Sequence, residues 1–148
     1  ADLANAYSSL GRRRKASEHA RRAEKLASDP VQSARQKAIG LVQKGEFERA
    51  ITIFREALAD APDNTTLYND IGYTYYRQDN IDEAIAWYEK ALQQNPASGL
   101  THYNRSLAHY AREEYQKAIE FWERARDLGY AGSRRYARAL AEAVSTTE

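Results

Sequence analysis

The chain of 148 residues contains no cysteine, which excludes disulfide bonds, thiolate nucleophiles and thiolate metal ligands. It contains only three prolines and seven glycines, and so few helix breakers beside 43% hydrophobic and 29% charged residues are typical of a helical protein. No apolar run approaches the roughly 18 residues that cross a membrane. The net charge of +1 gives no bulk reason to expect nucleic acid or a membrane surface as partner.

Methionine is also absent, and the chain begins at Ala1 without a signal peptide. We therefore expect a processed form or an excised fragment, and the loss of a targeting segment or of flanking domains stays open. The compartment stays open, with the cytoplasm as the default expectation.

Alanine recurs with a fixed period. Ala16, Ala50, Ala84 and Ala118 are equally spaced along the chain. Two further series keep the same step: Ala23, Ala57, Ala91 and Ala125, and Ala20, Phe54, Tyr88 and Trp122. Fixed self-similarity with a period of about 34 residues indicates stacked supersecondary units.

Apolar residues within each unit follow a helical period. Ile51, Phe54 and Leu58 lie at i, i+3 and i+7, and polar or Pro-containing segments separate such stretches. Asp29-Pro30 has the pattern of an N-cap followed by a first-turn proline. The pattern predicts two antiparallel helices in each unit, with helices near 2–11, 14–27, 30–43, 47–59, 65–77, 81–93, 99–111, 115–127 and 132–145.

Small residues are placed where paired helices would cross. Helix axes approach to about 8 Å only where the crossing residues are small. We expect Ala38 and Gly72 on first helices to face Ala50 and Ala84 on second helices, while the larger Phe54, Tyr88 and Trp122 fill the space further along.

These positions resemble the tetratricopeptide repeat, a helix–turn–helix unit with a small–small crossing, an aromatic residue four positions later and a closing proline. The resemblance implies an all-α, right-handed superhelical solenoid of antiparallel helix pairs. It divides the single domain 1–148 into a partial repeat at 1–30, repeats at 31–64, 65–98 and 99–132, and a capping helix at 133–146. Lys37 and Arg105 depart from the family pattern, and we expect their aliphatic stems to cover the core.

The family's binding groove is concave and lined by the first helix of each pair. The resemblance therefore implies that this chain is a non-catalytic scaffold that binds a peptide or helix of a partner protein without a cofactor. Tyrosine and arginine suit peptide recognition, and packing between units is the other role open to the tyrosines. The expected groove residues are Arg35, Ile39, Asn69, Tyr73, Tyr76, Arg77, Tyr103, Asn104, Leu107 and Tyr110.

A carboxylate site is a finer expectation. Some tetratricopeptide domains hold a partner's terminal carboxylate with Lys, Asn, Asn, Lys and Arg. Asn104, Arg134 and Arg138 match the last three of these positions, whereas Asn69 and Tyr73 replace the first two. Arg134 and Arg138 lie four apart on one helical face, from which both can reach one anion. The alternative is an exposed basic stripe on a closing helix.

Three other functions are weighed against this one. Self-assembly into a homo-oligomer would use Trp87 and Phe121 on second helices. RNA binding would use the basic run 12–15 and is disfavoured by the low net charge. Catalysis and a metal cofactor have no support in the sequence, because His19, His102 and His109 form no metal-binding spacing and no phosphate-binding loop or nucleophile motif occurs.

Overall fold

The computed structural model describes residues 10–19 and 29–145, and all regular elements in those ranges are helices. Residues 10–19 form one helical segment. Seven further helices follow: α1 (Pro30–Gln43), α2 (Phe47–Asp60), α3 (Thr65–Arg77), α4 (Ile81–Gln94), α5 (Gly99–Ala111), α6 (Tyr115–Asp127) and α7 (Arg134–Ser145). These bounds agree with the predicted helices to within two residues, and the all-α fold is confirmed.

Each first helix begins at a side-chain cap. The Asp29 carboxylate accepts the Val31 N–H at 2.9 Å, and Asn64 and Ser98 cap α3 and α5 in the same way. Such caps satisfy amide groups that the helix leaves without a partner. The predicted N-cap at Asp29 is therefore confirmed.

Each first helix also ends in the same way. Gly45, Asp79 and Glu113 occupy the same position in successive repeats and have φ of 79°, 64° and 61°. The residue after each donates its amide to a carbonyl in the last turn, for example Glu46 N to Leu41 O at 2.9 Å. This left-handed closure reverses the chain into the second helix. It is retained in the third unit with glutamate, a residue that rarely adopts this conformation.

The break predicted between helices 2–11 and 14–27 is wrong, because residues 10–19 form one uninterrupted helix. Gly11 does not adopt the positive φ that ends α1, and the arginines and lysine after it favour helix. All ten side chains are exposed, including Ala16, whereas its repeat equivalent Ala50 is fully buried. The rest of this first unit, with Tyr7, Ala20 and Ala23, lies outside the described residues.

The helices of residues 30–145 pack as successive antiparallel pairs. The first helix α3 also contacts the first helices on either side of it, α1 and α5, whereas α2, α4 and α6 make no comparable contacts among themselves within this range. The stack therefore curves toward the first helices, as expected for a helical solenoid.

The core of each unit lies at a crossing of small residues. Ala38, Gly72 and Ser106 occupy equivalent positions on the first helices, and Ala50, Ala84 and Ala118 do so on the second helices. A Cβ atom built on Gly72 would lie 2.7 Å from the ring of Tyr88 and 3.2 Å from the Ala84 carbonyl oxygen. The Ser106 hydroxyl donates to the Ala118 carbonyl oxygen at 2.6 Å. The predicted close crossing at Gly72 is confirmed.

We predict that Gly72→Ala lowers the free energy of unfolding by about 1–3 kcal/mol, because the new methyl group overlaps the fully buried Tyr88 ring. Gly40→Ala is the matched control, since no atom lies within 4 Å of its built Cβ and alanine favours helix. Urea denaturation of both variants measures the difference. Equal stability of the two variants would contradict the crossing constraint.

Helix α5 buries an unusual number of polar side chains, which the apolar pattern did not reveal. They are Thr101, His102, Asn104, Ser106 and His109. The His109 ring stacks on Phe121 with centroids 5.2 Å apart, and its Nδ1 lies 2.6 Å from the Glu114 carboxylate. Burial lowers the pKa of His109 below its ordinary value, while the hydrogen bond that His109 donates to the Glu114 carboxylate opposes that shift.

We predict that acidification destabilises the protein partly through His109. The pKa of His109 is lower in the folded than in the unfolded chain, so stability is full above about pH 6.5 and falls as pH drops toward the folded-state pKa. His109→Gln keeps a donor for Glu114 and does not titrate. When the pH is lowered from about 7.5 to about 5.5, the melting temperature of this variant should fall less than that of the wild type. His19→Gln, at an exposed position, should behave like wild type, and a loss in His109→Gln as large as in wild type would refute the assignment.

Candidate functional site

The first helices α1, α3 and α5 form one continuous surface, which we call the inner wall. It carries all ten residues predicted to line a groove, and helix α7 carries the two predicted arginines that follow them. Tyr73, Arg77, Arg134 and Arg138 are exposed, whereas Asn69 and Asn104 are buried. The remaining predicted residues are partly buried: Arg35, Ile39, Tyr76, Tyr103, Leu107 and Tyr110.

Polar pairs link neighbouring first helices along the wall. Arg35 on α1 forms an ion pair with Asp70 on α3, with a second hydrogen bond of 3.4 Å from Nη2. Asn104 on α5 donates its amide to Asn69 on α3 at 3.0 Å. Burial raises the pKa of Asp70, and Arg35 acts in the opposite direction. These side chains therefore hold adjacent units in register.

The two pairs use the same repeat positions. Arg35 and Asn69 are equivalent residues of successive repeats, and so are Asp70 and Asn104. One repeat further along the chain, the residues at these two positions are Tyr103 and Arg138. Arg138 makes no hydrogen bond or ion pair with the described part of the chain, so its guanidinium is free at the C-terminal end of this series.

Tyr103 belongs instead to an aromatic cluster that closes the stack. Its ring centroid lies 5.2 Å from that of Tyr130 and 5.6 Å from that of Tyr136, and its hydroxyl accepts the Ser133 N–H at 3.3 Å. Tyr110 also contacts Tyr136, at 5.5 Å between centroids. Burial raises the pKa of Tyr136 to about 12, against the hydrogen bond with Ser106. Of the two roles expected for the tyrosines, groove lining and packing between units, Tyr103 and Tyr110 therefore have the second.

Tyr73 and Arg77 form an exposed pair at the middle of the wall. The Tyr73 residue is 38% exposed, and Arg77 places its guanidinium carbon 5.9 Å from the Tyr73 ring centroid. Arg77 Nη1 also lies 3.4 Å from the Tyr73 hydroxyl. No carboxylate pairs with Arg77 among residues 10–19 and 29–145. An aromatic face and a free cation are thus presented side by side.

A cleft of about 230 Å³ lies beside this pair, between α1 and α3 and above α2. It is lined by Ile39, Val42, Gln43, Phe54, Asp70, Tyr73, Thr74 and Arg77. Sequence reasoning named three of these residues, Ile39, Tyr73 and Arg77, as groove residues. The other five were not predicted as groove residues. Val42, Gln43, Asp70 and Thr74 lie within about one helical turn of a predicted one, and Phe54 was expected only to fill the core.

The other residues singled out in the sequence differ in their surroundings. Lys37 is exposed, whereas the Arg105 guanidinium lies 4.2 Å from the Phe121 ring centroid and pairs with Glu89. Trp87 packs against Tyr68 at 5.9 Å between centroids. In the part of the chain that the structure describes, no three His, Asp or Glu residues are grouped to hold a metal ion. No described helix has the length and apolar character of a membrane span.

The curved stack of helix pairs and its inner wall define a helical-repeat protein. Family models of the tetratricopeptide repeat match residues 35–99 and residues 1–30. The chain belongs to the tetratricopeptide repeat family.

Two curated relatives match one part of the chain. It is 34% identical over 59 residues to the peroxisomal targeting signal receptor of Eremothecium gossypii and 36% identical over 59 residues to that of Candida albicans. Each match covers 40% of this chain and 10% of the receptor. The chain thus spans about a tenth of the length of these relatives.

Solved structures share the fold at low identity. The first TPR domain of RPAP3, bound to the HSP90 peptide SRMEEVD, has a TM-score of 0.71 and a sequence identity of 17%. The match covers 79% of this chain and 92% of that one. The TPR2B domain of yeast Sti1 in complex with pHsp70 has a TM-score of 0.69 at 22% identity over 80% and 98%. The Sgt2 domain from Aspergillus fumigatus reaches 0.71 at 21% identity, with 82% of both chains covered.

We predict that Asn69 and Asn104 stabilise the fold jointly. A double-mutant cycle with alanine should give a coupling energy of about 1 kcal/mol, since either single variant leaves a buried amide without its partner. The control cycle pairs Asn69 with exposed Asn95 and should be additive. Equilibrium denaturation measures both cycles, and additivity in the first would show that the hydrogen bond contributes nothing.

Proposed function

We propose that this chain is a protein–protein interaction module that binds a peptide segment of its partner along the inner wall, without catalysis. The observation that carries the proposal is the exposed Tyr73–Arg77 pair beside an apolar cleft. Tyrosine offers a large rigid surface, and tyrosine and arginine are both enriched among the residues that carry most of the binding energy of interfaces. The RPAP3 domain bound to an HSP90 peptide and the Sti1 domain in complex with pHsp70, both of similar fold, support a protein or peptide as the ligand.

The charge of the inner wall and of the adjoining helix α7 favours an acidic ligand. Arg77, Arg134 and Arg138 are exposed and have no carboxylate partner within the described residues, whereas Asp70 is neutralised by Arg35. Positive potential from three free guanidinium groups attracts an acidic segment and speeds its association. Arginine also binds carboxylates through two parallel hydrogen bonds.

The finer proposal places the ligand's terminal carboxylate at Arg134 and Arg138, near Asn104. These arginines lie one turn apart on α7. The amide of Asn104 already donates to Asn69, so the arginines carry most of the attraction. This arrangement uses fewer groups than the five-residue clamp of the family.

We predict that Tyr73→Ala weakens peptide binding by at least about tenfold, as expected for loss of one buried aromatic contact. Peptides are first selected from a random phage-displayed library on the immobilised wild-type chain. Their affinities are then measured by fluorescence anisotropy. Circular dichroism verifies that the variant is folded. Selection of no peptide above the bare support, or equal affinity of wild type and variant, would overturn the groove assignment.

We predict that binding of the peptide SRMEEVD depends on its free terminus and on Arg134 and Arg138. Amidation of the peptide, or Arg134→Ala with Arg138→Ala, should each weaken binding about tenfold or more, because a charge-assisted pair is lost. Arg135→Ala on the same helix is the control and should bind like wild type. If amidated and free peptides bind equally, the carboxylate site is wrong while the peptide groove stands.

The self-assembly alternative concerns aromatic residues that pack within the chain. The two aromatic residues that would have carried it, Trp87 and Phe121, pack on Tyr68 and on His109 within the chain. Sedimentation equilibrium of the purified chain tests the alternative directly.

A further inference from the structure

The cleft between α1 and α3 differs from the rest of the inner wall because it has depth. Its volume of about 230 Å³ exceeds the roughly 150 Å³ of an apolar cavity that holds one benzene molecule. It is also smaller than the roughly 300–1,000 Å³ of sites that enclose a whole small-molecule ligand. The cleft therefore has room for one bulky side chain of a longer ligand.

The base of the cleft offers almost no free polar group. The Thr74 hydroxyl donates to the Asp70 carbonyl oxygen at 2.7 Å, and the Asp70 carboxylate is paired with Arg35. Ile39, Val42 and Phe54 supply the remaining surface at depth. A polar side chain placed there would lose its hydration without gaining a partner, so an apolar one is favoured.

The rim of the cleft is different from its base. Arg77 and Gln43 are exposed at the ends of α3 and α1, and the Tyr73 ring lies beside them. Arg77 has no carboxylate partner among the described residues. A carboxylate of the ligand that lies next to the inserted side chain would reach this guanidinium.

We infer that the cleft is a specificity pocket for a bulky apolar side chain, such as Leu, Met or Phe, that is flanked in the partner peptide by an Asp or Glu paired with Arg77. This inference deepens the proposed peptide-binding function and rests on it. It fixes the register of the ligand, because the inserted side chain lies two repeats away from the arginines of α7. One segment can therefore be held at the cleft by its side chain and at α7 by its charge.

The test compares the peptides that the phage library yields on wild type, on two variants of the cleft and on a matched control for each. Gln43→Trp fills the mouth of the cleft from an exposed position, and Gln36→Trp makes the same change on the same helix at an exposed position that does not line the cleft. Arg77→Glu reverses the charge at the rim, and Arg124→Glu, exposed on α6, is its control.

Wild type and both controls should select peptides that share a bulky apolar residue within two positions of an acidic one. Gln43→Trp should lose the apolar preference, and Arg77→Glu should replace the acidic neighbour by a basic one. In the best wild-type peptide, alanine at the apolar position should weaken binding about tenfold or more, as expected for loss of a buried Leu-sized side chain.

The outcomes separate the two proposals. Peptides that bind wild type but show no apolar–acidic pair, or that Gln43→Trp selects with an unchanged preference, overturn the specificity pocket and leave the peptide groove in place. Failure of wild type to select any peptide overturns the proposed function and the pocket with it.

Discussion

The structure depends on the close crossing of two helices in each unit. Gly72 lies so near Tyr88 and Ala84 that a single methyl group does not fit, and Ala38 and Ser106 occupy the equivalent positions. Because these crossings recur at the same position of the three repeats between residues 31 and 132, successive first helices are presented at the same angle and meet along one side. The inner wall is a consequence of that register.

The wall divides its polar side chains between stability and recognition. Arg35 with Asp70, and Asn69 with Asn104, are consumed in linking units. Within the described residues, Arg138 has no such partner at the next equivalent step, and Arg77 contacts Tyr73 without pairing with a carboxylate. The proposed binding groups are therefore those that the repeat pattern places on the wall and the packing between units leaves unused. A ligand that pairs with them completes interactions that the fold itself does not make.

Local signals predicted the helices well and their surroundings less well. Asp29 and Pro30 predicted the start of α1 correctly, because a cap and a first-turn proline act over only a few residues. The same reasoning failed at residues 12–13, where a break between two helices was predicted and the chain stays helical. The buried polar face of α5 gave no apolar period to detect, since His109 and Ser106 find their partners on other helices.

The sequence by itself determined the repeat length, the helix pairing and the small residues at the crossings, because these follow from helical periodicity and side-chain size. The side of the stack that faces inward was implied only by the resemblance to the tetratricopeptide repeat. Only the tertiary structure decided which inner-wall residues remain free. Asn69 and Tyr73 are both predicted groove residues on one helix, yet one is buried against Asn104 and the other is exposed beside a cleft. That outcome depends on contacts between residues about 35 positions apart, which no local pattern specifies.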